Sequence, residues 1–159
     1  MKAYSLNSAE EVLKSRETAY FLTSGASMKP LLRTHKDIVV IRRVPQPFSV
    51  GEVVLYKKAG ADKLVLHRII GVKQEGTYII RGDNTYSNEY VPQSDILGVM
   101  TAVYRSGKYI DCKKSVLYKI YVKLNRFFYP ARRIFKTKIL AFSVKIKRKI
   151  FRKKCKPND

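Results

Sequence analysis

Hydrophobic positions change their period once along this chain, near residue 112. Between Tyr20 and Tyr104 they come in short runs rich in Val, Ile, Leu and Tyr. These are Tyr20–Thr23, Asp37–Val44, Glu52–Lys57, Lys63–Val72, Thr77–Arg81 and Ile96–Tyr104. Gly51, Gly60, Gly76, Gly82 and Gly107, with Pro45, Pro47 and Pro92, punctuate them as turn residues do. Six short strands without intervening helices predict an antiparallel or mixed β body and argue against a parallel α/β sheet. Ahead of them, Ser8-Ala9-Glu10-Glu11 fits a capping box, predicting a short helix that ends before Tyr20. Beyond Asp111 the spacing turns helical: Leu117, Ile120, Leu124 and Phe127 or Phe128 lead to Pro130, which should stop or kink the helix. Phe135, Ile139, Phe142, Ile146 and Ile150 repeat the spacing. Lys and Arg fill most positions between, so the pattern predicts two basic amphipathic helices.

Composition divides the chain at the same place. Of its 159 residues 33 are Lys or Arg and 12 are Asp or Glu, a formal net charge of +21. Residues 113–159 carry 17 of the bases and one acid, leaving residues 1–112 at only +5. The expected organisation is a nearly neutral domain, 1–112, large enough for one core, followed by a cationic helical tail, 113–159. Cys112 and Cys155, with no CxxC or Cys/His cluster, argue against a disulfide framework and a structural zinc site, and nothing implies a metal or cofactor. The longest apolar runs, such as Ile139–Val144, are far short of the about 20 residues that span a bilayer. The N-terminus has no apolar h-region and soon meets Glu10 and Glu11, unlike a secretory signal. A cytoplasmic or peripheral membrane location is expected.

Three short segments carry candidate chemistry. Thr23-Ser24-Gly25-Ala26-Ser27-Met28-Lys29-Pro30 is a small-residue turn in which Gly25 lets the backbone bend ahead of Ser27, which can leave a hydroxyl exposed and N–H groups convergent. Leu64–Val72 is an apolar strand interrupted by His67, which by alternation shares a face with Val65 and Ile69, while Leu66, Arg68 and Ile70 share the other. Arg81-Gly82-Asp83-Asn84-Thr85 closes a strand in a tight turn. Alone, each also fits ordinary structure: a turn, a core histidine, a turn again. Together they offer a nucleophile, a base and a carboxylate for acyl transfer.

Their order and spacing resemble the signal peptidase I family and the wider serine peptidase superfamily that includes self-cleaving repressor domains. The matching blocks are Ser24–Pro30, Asp37–Val40, Gly51–Val54, Leu66–Val72, Gly82–Asn84 and Asp95–Val99, in family order over residues 20–104. Bacterial-type signal peptidases and the repressors place Lys where His67 stands. The endoplasmic-reticulum and archaeal type, with some spore-former enzymes, places His followed by Arg, and this chain follows that branch. The resemblance implies a coiled β-sheet body, attack by Ser27 on a peptide carbonyl, and proton transfer through His67, typically worth on the order of 10²–10⁴ in rate. It implies an oxyanion site at the N–H groups of Ser27 and Ala26, with the Ser24 hydroxyl able to contribute, and Met28 beneath the turn or lining the cleft. It leaves two carboxylates to complete a triad. Asp83 matches the motif and is slightly favoured. Glu89, six residues on, stands where an Asp is usual. Asp95 reads as structural, and His35, in the polar turn 33–36, is a minor alternative as base.

The family is held by transmembrane helices, and here the tail offers a substitute. Basic amphipathic helices can lie on anionic lipid. Packing on the body, or binding of nucleic acid or an acidic partner, are the other readings, although no helix-turn-helix or zinc-finger signature accompanies the charge. The expected function is a serine endopeptidase cleaving a leader or signal segment from a protein or peptide precursor. The alternative is a non-catalytic or self-cleaving regulatory module whose tail recruits nucleic acid or an acidic partner.

Overall fold

The computed structural model describes residues 9–60 and 63–134, and the chain divides into two units, Met1–Val122 and Lys123–Asp159. In the first unit a short helix, α1 (Ala9–Ser15), precedes an antiparallel sheet of eight strands. The strands are β1 (Thr18–Leu22), β2 (Asp37–Arg42), β3 (Val53–Lys57), β4 (Leu64–Val72), β5 (Thr77–Arg81), β6 (Glu89–Pro92), β7 (Ile96–Arg105) and β8 (Lys108–Asp111). Their spatial order is β1-β2-β7-β3-β4-β5-β6, with β8 pairing β7. The six runs expected as strands all form strands, within two residues at each end. The short helix lies where the capping box put it, although Ser8 itself falls outside the described residues.

Two strands, β6 and β8, were not expected. Each has four residues, and β6, Glu-Tyr-Val-Pro, ends in a proline that cannot donate to a ladder. Tertiary pairing makes them: Ile80 lies opposite Glu89 and Val103 opposite Ile110.

Alternation of side chains sorts the interior into two clusters. Val53 and Leu55 join one with Phe21, Val39, Leu66 and Met100, while Val54 and Tyr56 join the other with Ile69, Tyr78, Ile80 and Val99. The single strand β3 therefore buries both faces, as a central strand must. Met28, Leu31 and Leu32, from the loop between β1 and β2, plug into the first cluster together with Leu13 of α1. Cys112 is also buried there, and burial pushes its thiol up to about 11, so it is an inert packing group.

Residues 116–134 are helical (α2). Ser115 caps the start, its Oγ accepting the Tyr118 N–H at 3.2 Å, and Asp111 accepts the N–H groups of Lys113 and Lys114. Of the two outcomes expected at Pro130, a stop or a kink, the stop does not occur: residues 130–134 continue the helix. Proline costs a helix one hydrogen bond, but its fixed φ is compatible with helical backbone, so a helix can pass through. In the first unit Tyr118 and Tyr121 pack on the first cluster, while Val116, Leu117 and Ile120 are exposed. In the second unit Leu124, Phe127, Phe128 and Ile134 are exposed. The second amphipathic stripe, Phe135 to Ile150, lies outside the described residues. No helix among the described residues is long and apolar enough to cross a membrane.

Candidate active site

The Ser27 turn belongs to a long loop between β1 and β2, and the neck of that loop is tied by a buried carboxylate. Asp37 is fully buried and accepts from Arg33 N–H and Nε, each at 2.9 Å, and from Arg105 Nη2 at 2.6 Å. Burial would push its carboxyl up, but the bonds from Arg105 and Arg33 outweigh that and hold it below the usual range. Thr23 adds a second tie, its Oγ1 donating to Arg33 O at 2.7 Å. Within the loop Gly25 takes φ 75°, a left-handed conformation that glycine adopts without strain. Ser24 and Ala26 stay exposed, Ser27 is half-buried and Met28 is buried. Among the described residues no protein acceptor takes the N–H of Ala26 or Ser27.

The turn after β5 holds this loop from the other side. Asn84 N–H donates to Ser27 O at 2.7 Å and its Nδ2 to Ala26 O at 3.2 Å. Gly82 is there because nothing larger fits. A Cβ on it would lie 2.7 Å from Ser27 O and 2.9 Å from His67 Nε2, both inside normal contact distance. The Ser27 backbone and the His67 ring thus both pack against Gly82.

His67 comes from β4, with its ring on the face that alternation predicts. It stands opposite Val54 of β3, which sets Tyr56 on the diagonal. Tyr56 Oη lies 3.2 Å from His67 Nδ1 and donates to Glu89 Oε2 at 2.9 Å. Glu89 Oε1 is 3.5 Å from the same Nδ1, and Glu89 also meets Lys58 Nζ at 3.4 Å. Burial lowers the His67 pKa; Glu89 and Asp83 pull it up, Lys58 pushes it further down, and the net is below the ordinary value. The imidazole is therefore neutral at pH 7, as a base must be.

The neighbouring Arg68 points the other way. Its Nε and Nη2 grip both oxygens of Asp83 at 2.8 and 2.7 Å, its Nη1 reaches Gly51 O at 2.7 Å, and Tyr121 Oη donates to Asp83 at 3.1 Å. Of the two candidate carboxylates, Glu89 is the one with an oxygen near His67 Nδ1, at 3.5 Å. Asp83 meets Arg68 and Tyr121 and braces the turn, whereas Glu89 faces Nδ1.

One cleft of about 380 Å³ gathers Ser24, Ala26, Ser27, Met28, His67 and Glu89, with Lys58 beside them and leucines from β1 and β4 along its walls. His35 is exposed, at φ 56°, in the loop's outer turn. Sequence reasoning missed Tyr56 and Asn84. Tyr56 read as one more apolar strand residue, and only the pairing register of β3 with β4 reveals it. Asn84 read as turn chemistry, and its hold on the Ser27 loop is a contact across 57 residues. No family model matches the chain.

Proposed function

We propose that the chain is a serine endopeptidase of the signal-peptidase type, on a fold of that superfamily's coiled β-sheet kind, that cleaves a leader or signal segment from a protein or peptide precursor. The observation that carries this reading is one cleft lined by Ser27, His67 and Glu89, with the Ser27 backbone oxygen and His67 Nε2 both packed on Gly82 and the Glu89 carboxylate behind His67. In the mechanism Ser27 Oγ attacks the scissile carbonyl as His67 Nε2 takes its proton, and His67 returns that proton to the departing amine. Glu89, facing Nδ1, compensates the imidazolium charge that forms. The N–H groups of Ser27 and Ala26 receive the developing oxyanion, with the exposed Ser24 hydroxyl at the rim.

A fluorophosphonate probe tests this directly. Wild-type protein should label and Ser27→Ala and His67→Ala should not; equal labelling of all three would leave a non-catalytic module on the same fold. A cleaved product of the chain itself, lost with Ser27→Ala, would point to self-cleavage.

The exposed apolar residues of α2 favour an anionic membrane surface as the tail's partner. Val116, Leu117 and Ile120 in one unit, and Leu124, Phe127, Phe128 and Ile134 in the other, lie among Lys119, Lys123, Arg126 and Arg133. Apolar side chains left in water beside cations suit a lipid interface better than a nucleic-acid groove. Co-sedimentation with anionic but not neutral vesicles is expected. Binding to neither, with salt-sensitive DNA binding instead, would reverse the assignment.

A further inference from the structure

Tyr56 is among the largest fully buried side chains of the chain, and its hydroxyl is the one polar atom it brings into the interior. A buried phenol must place its single proton, and two acceptors compete for it: Glu89 Oε2 at 2.9 Å and His67 Nδ1 at 3.2 Å. The carboxylate of Glu89, ion-paired with Lys58, can only accept. The phenol proton therefore goes to Glu89, and a lone pair of Oη is left facing Nδ1. Two lone pairs cannot share that contact, so Nδ1 carries the imidazole proton and donates it to Oη. Nε2 is then the unprotonated nitrogen, and it is the one packed with the Ser27 backbone against Gly82, in the cleft that Ser27 lines.

We propose that Tyr56 is a positioning residue of the proposed peptidase: its hydroxyl, braced by Glu89, fixes the Nδ1–H tautomer and ring orientation of His67. This rests on the serine-peptidase reading for its purpose but not for its test. The charged and titratable groups around the ring are Tyr56 and Lys58 from β3 and the residue after it, Glu89 from β6, and Asp83, which is already paired with Arg68. None of the others offers Nδ1 an acceptor as close as Oη.

Two readouts on the full-length chain decide the matter. The first is ¹⁵N NMR of the His67 ring in wild type, Ser27→Ala and Tyr56→Phe at a pH where the ring is neutral. Wild type and Ser27→Ala should show protonated Nδ1 and bare Nε2, and Tyr56→Phe should show a mixture or the opposite tautomer. The second is fluorophosphonate labelling, which should slow about ten- to a hundred-fold in Tyr56→Phe, the effect of losing one hydrogen bond to a group that becomes charged. A wild-type ring protonated on Nε2 would overturn the proposal even if Tyr56→Phe failed to fold. An unchanged tautomer and labelling rate in a folded Tyr56→Phe would overturn it too. If labelling proved independent of Ser27, the peptidase reading would fall, while the tautomer measurement would still judge the role of Tyr56.

Discussion

At the scale of single residues, Gly82 packs against both the Ser27 backbone oxygen and the His67 ring. Adding one methyl there forces it against a backbone oxygen and a buried ring, neither of which can swing aside. Gly82→Ala should therefore separate Ser27 from His67, cutting probe labelling at least a hundred-fold while costing about 1–3 kcal/mol of stability from overpacking. Labelling rate and a denaturant melt, measured on the same sample, check both. The two carboxylates should also part company. Glu89→Gln should slow labelling with little loss of stability. Asp83→Asn should cost about 3–5 kcal/mol by stranding the buried Arg68 guanidinium. If Asp83→Asn proved silent in a melt while abolishing labelling, the two roles would be exchanged.

His67 sets a pH dependence with a definite sign. Its folded pKa is lowered below the ordinary value of about 6.5. Labelling should rise with pH through a midpoint below that value and then level off. Stability follows the same direction. Below about pH 6.5 the unfolded chain binds a proton that the buried ring resists, so acidification weakens the fold. A labelling midpoint at or above 6.5 would contradict the assignment, and ¹³C-detected titration of His67 would locate it independently.

Elements rather than residues decide how the loop between β1 and β2 is held. It is long, and its closure depends on Asp37 at the first position of β2, gripped by Arg33 from the loop and Arg105 from the end of β7. Asp37→Ala removes the buried acceptor shared by two part-exposed arginines and should cost about 1–3 kcal/mol, read in a denaturant melt. Because the folded pKa of Asp37 lies below its unfolded value, its contribution is present above about pH 3.8 and fades as pH falls further. At this scale it is also clear what the sequence could reveal. The strands of the central sheet were legible because β-branched residues alternate or cluster between turn residues, and the face of His67 followed from parity within β4. Which carboxylate faces His67 was not legible. It depends on β6, four residues ending in Pro92, whose pairing with β5 sets Glu89 opposite Ile80, and nothing local in Glu89–Pro92 signals a strand. Tyr56 was hidden for the same reason, since a register between two strands is a property of the pair.

For the molecule as a whole, charge and chemistry occupy different stretches of chain. Replacing Phe127 and Phe128 by Glu should weaken binding to anionic vesicles at least ten-fold and leave probe labelling unchanged, since neither residue belongs to the unit that holds Ser27 and His67. Vesicle co-sedimentation beside labelling on one preparation tests the separation. Raising salt should weaken the cationic contribution and spare the apolar one.

The opposed directions of His67 and Arg68 carry a consequence for which insertions and deletions the chain can tolerate. Gaining or losing a single residue between Leu64 and His67 would turn β4 over, presenting a guanidinium to the cleft and an imidazole to Asp83. Both sides of the sheet would lose their partner at once, so no partial benefit is available to a lineage passing through such a change. Length can vary instead in the hairpin between Lys57 and Leu64, or past the bulge between Ile69 and Gly71 where the pairing already shifts by one. Among homologues of this chain, gaps should therefore collect on either side of the segment Leu64–Arg68 and be missing from within it.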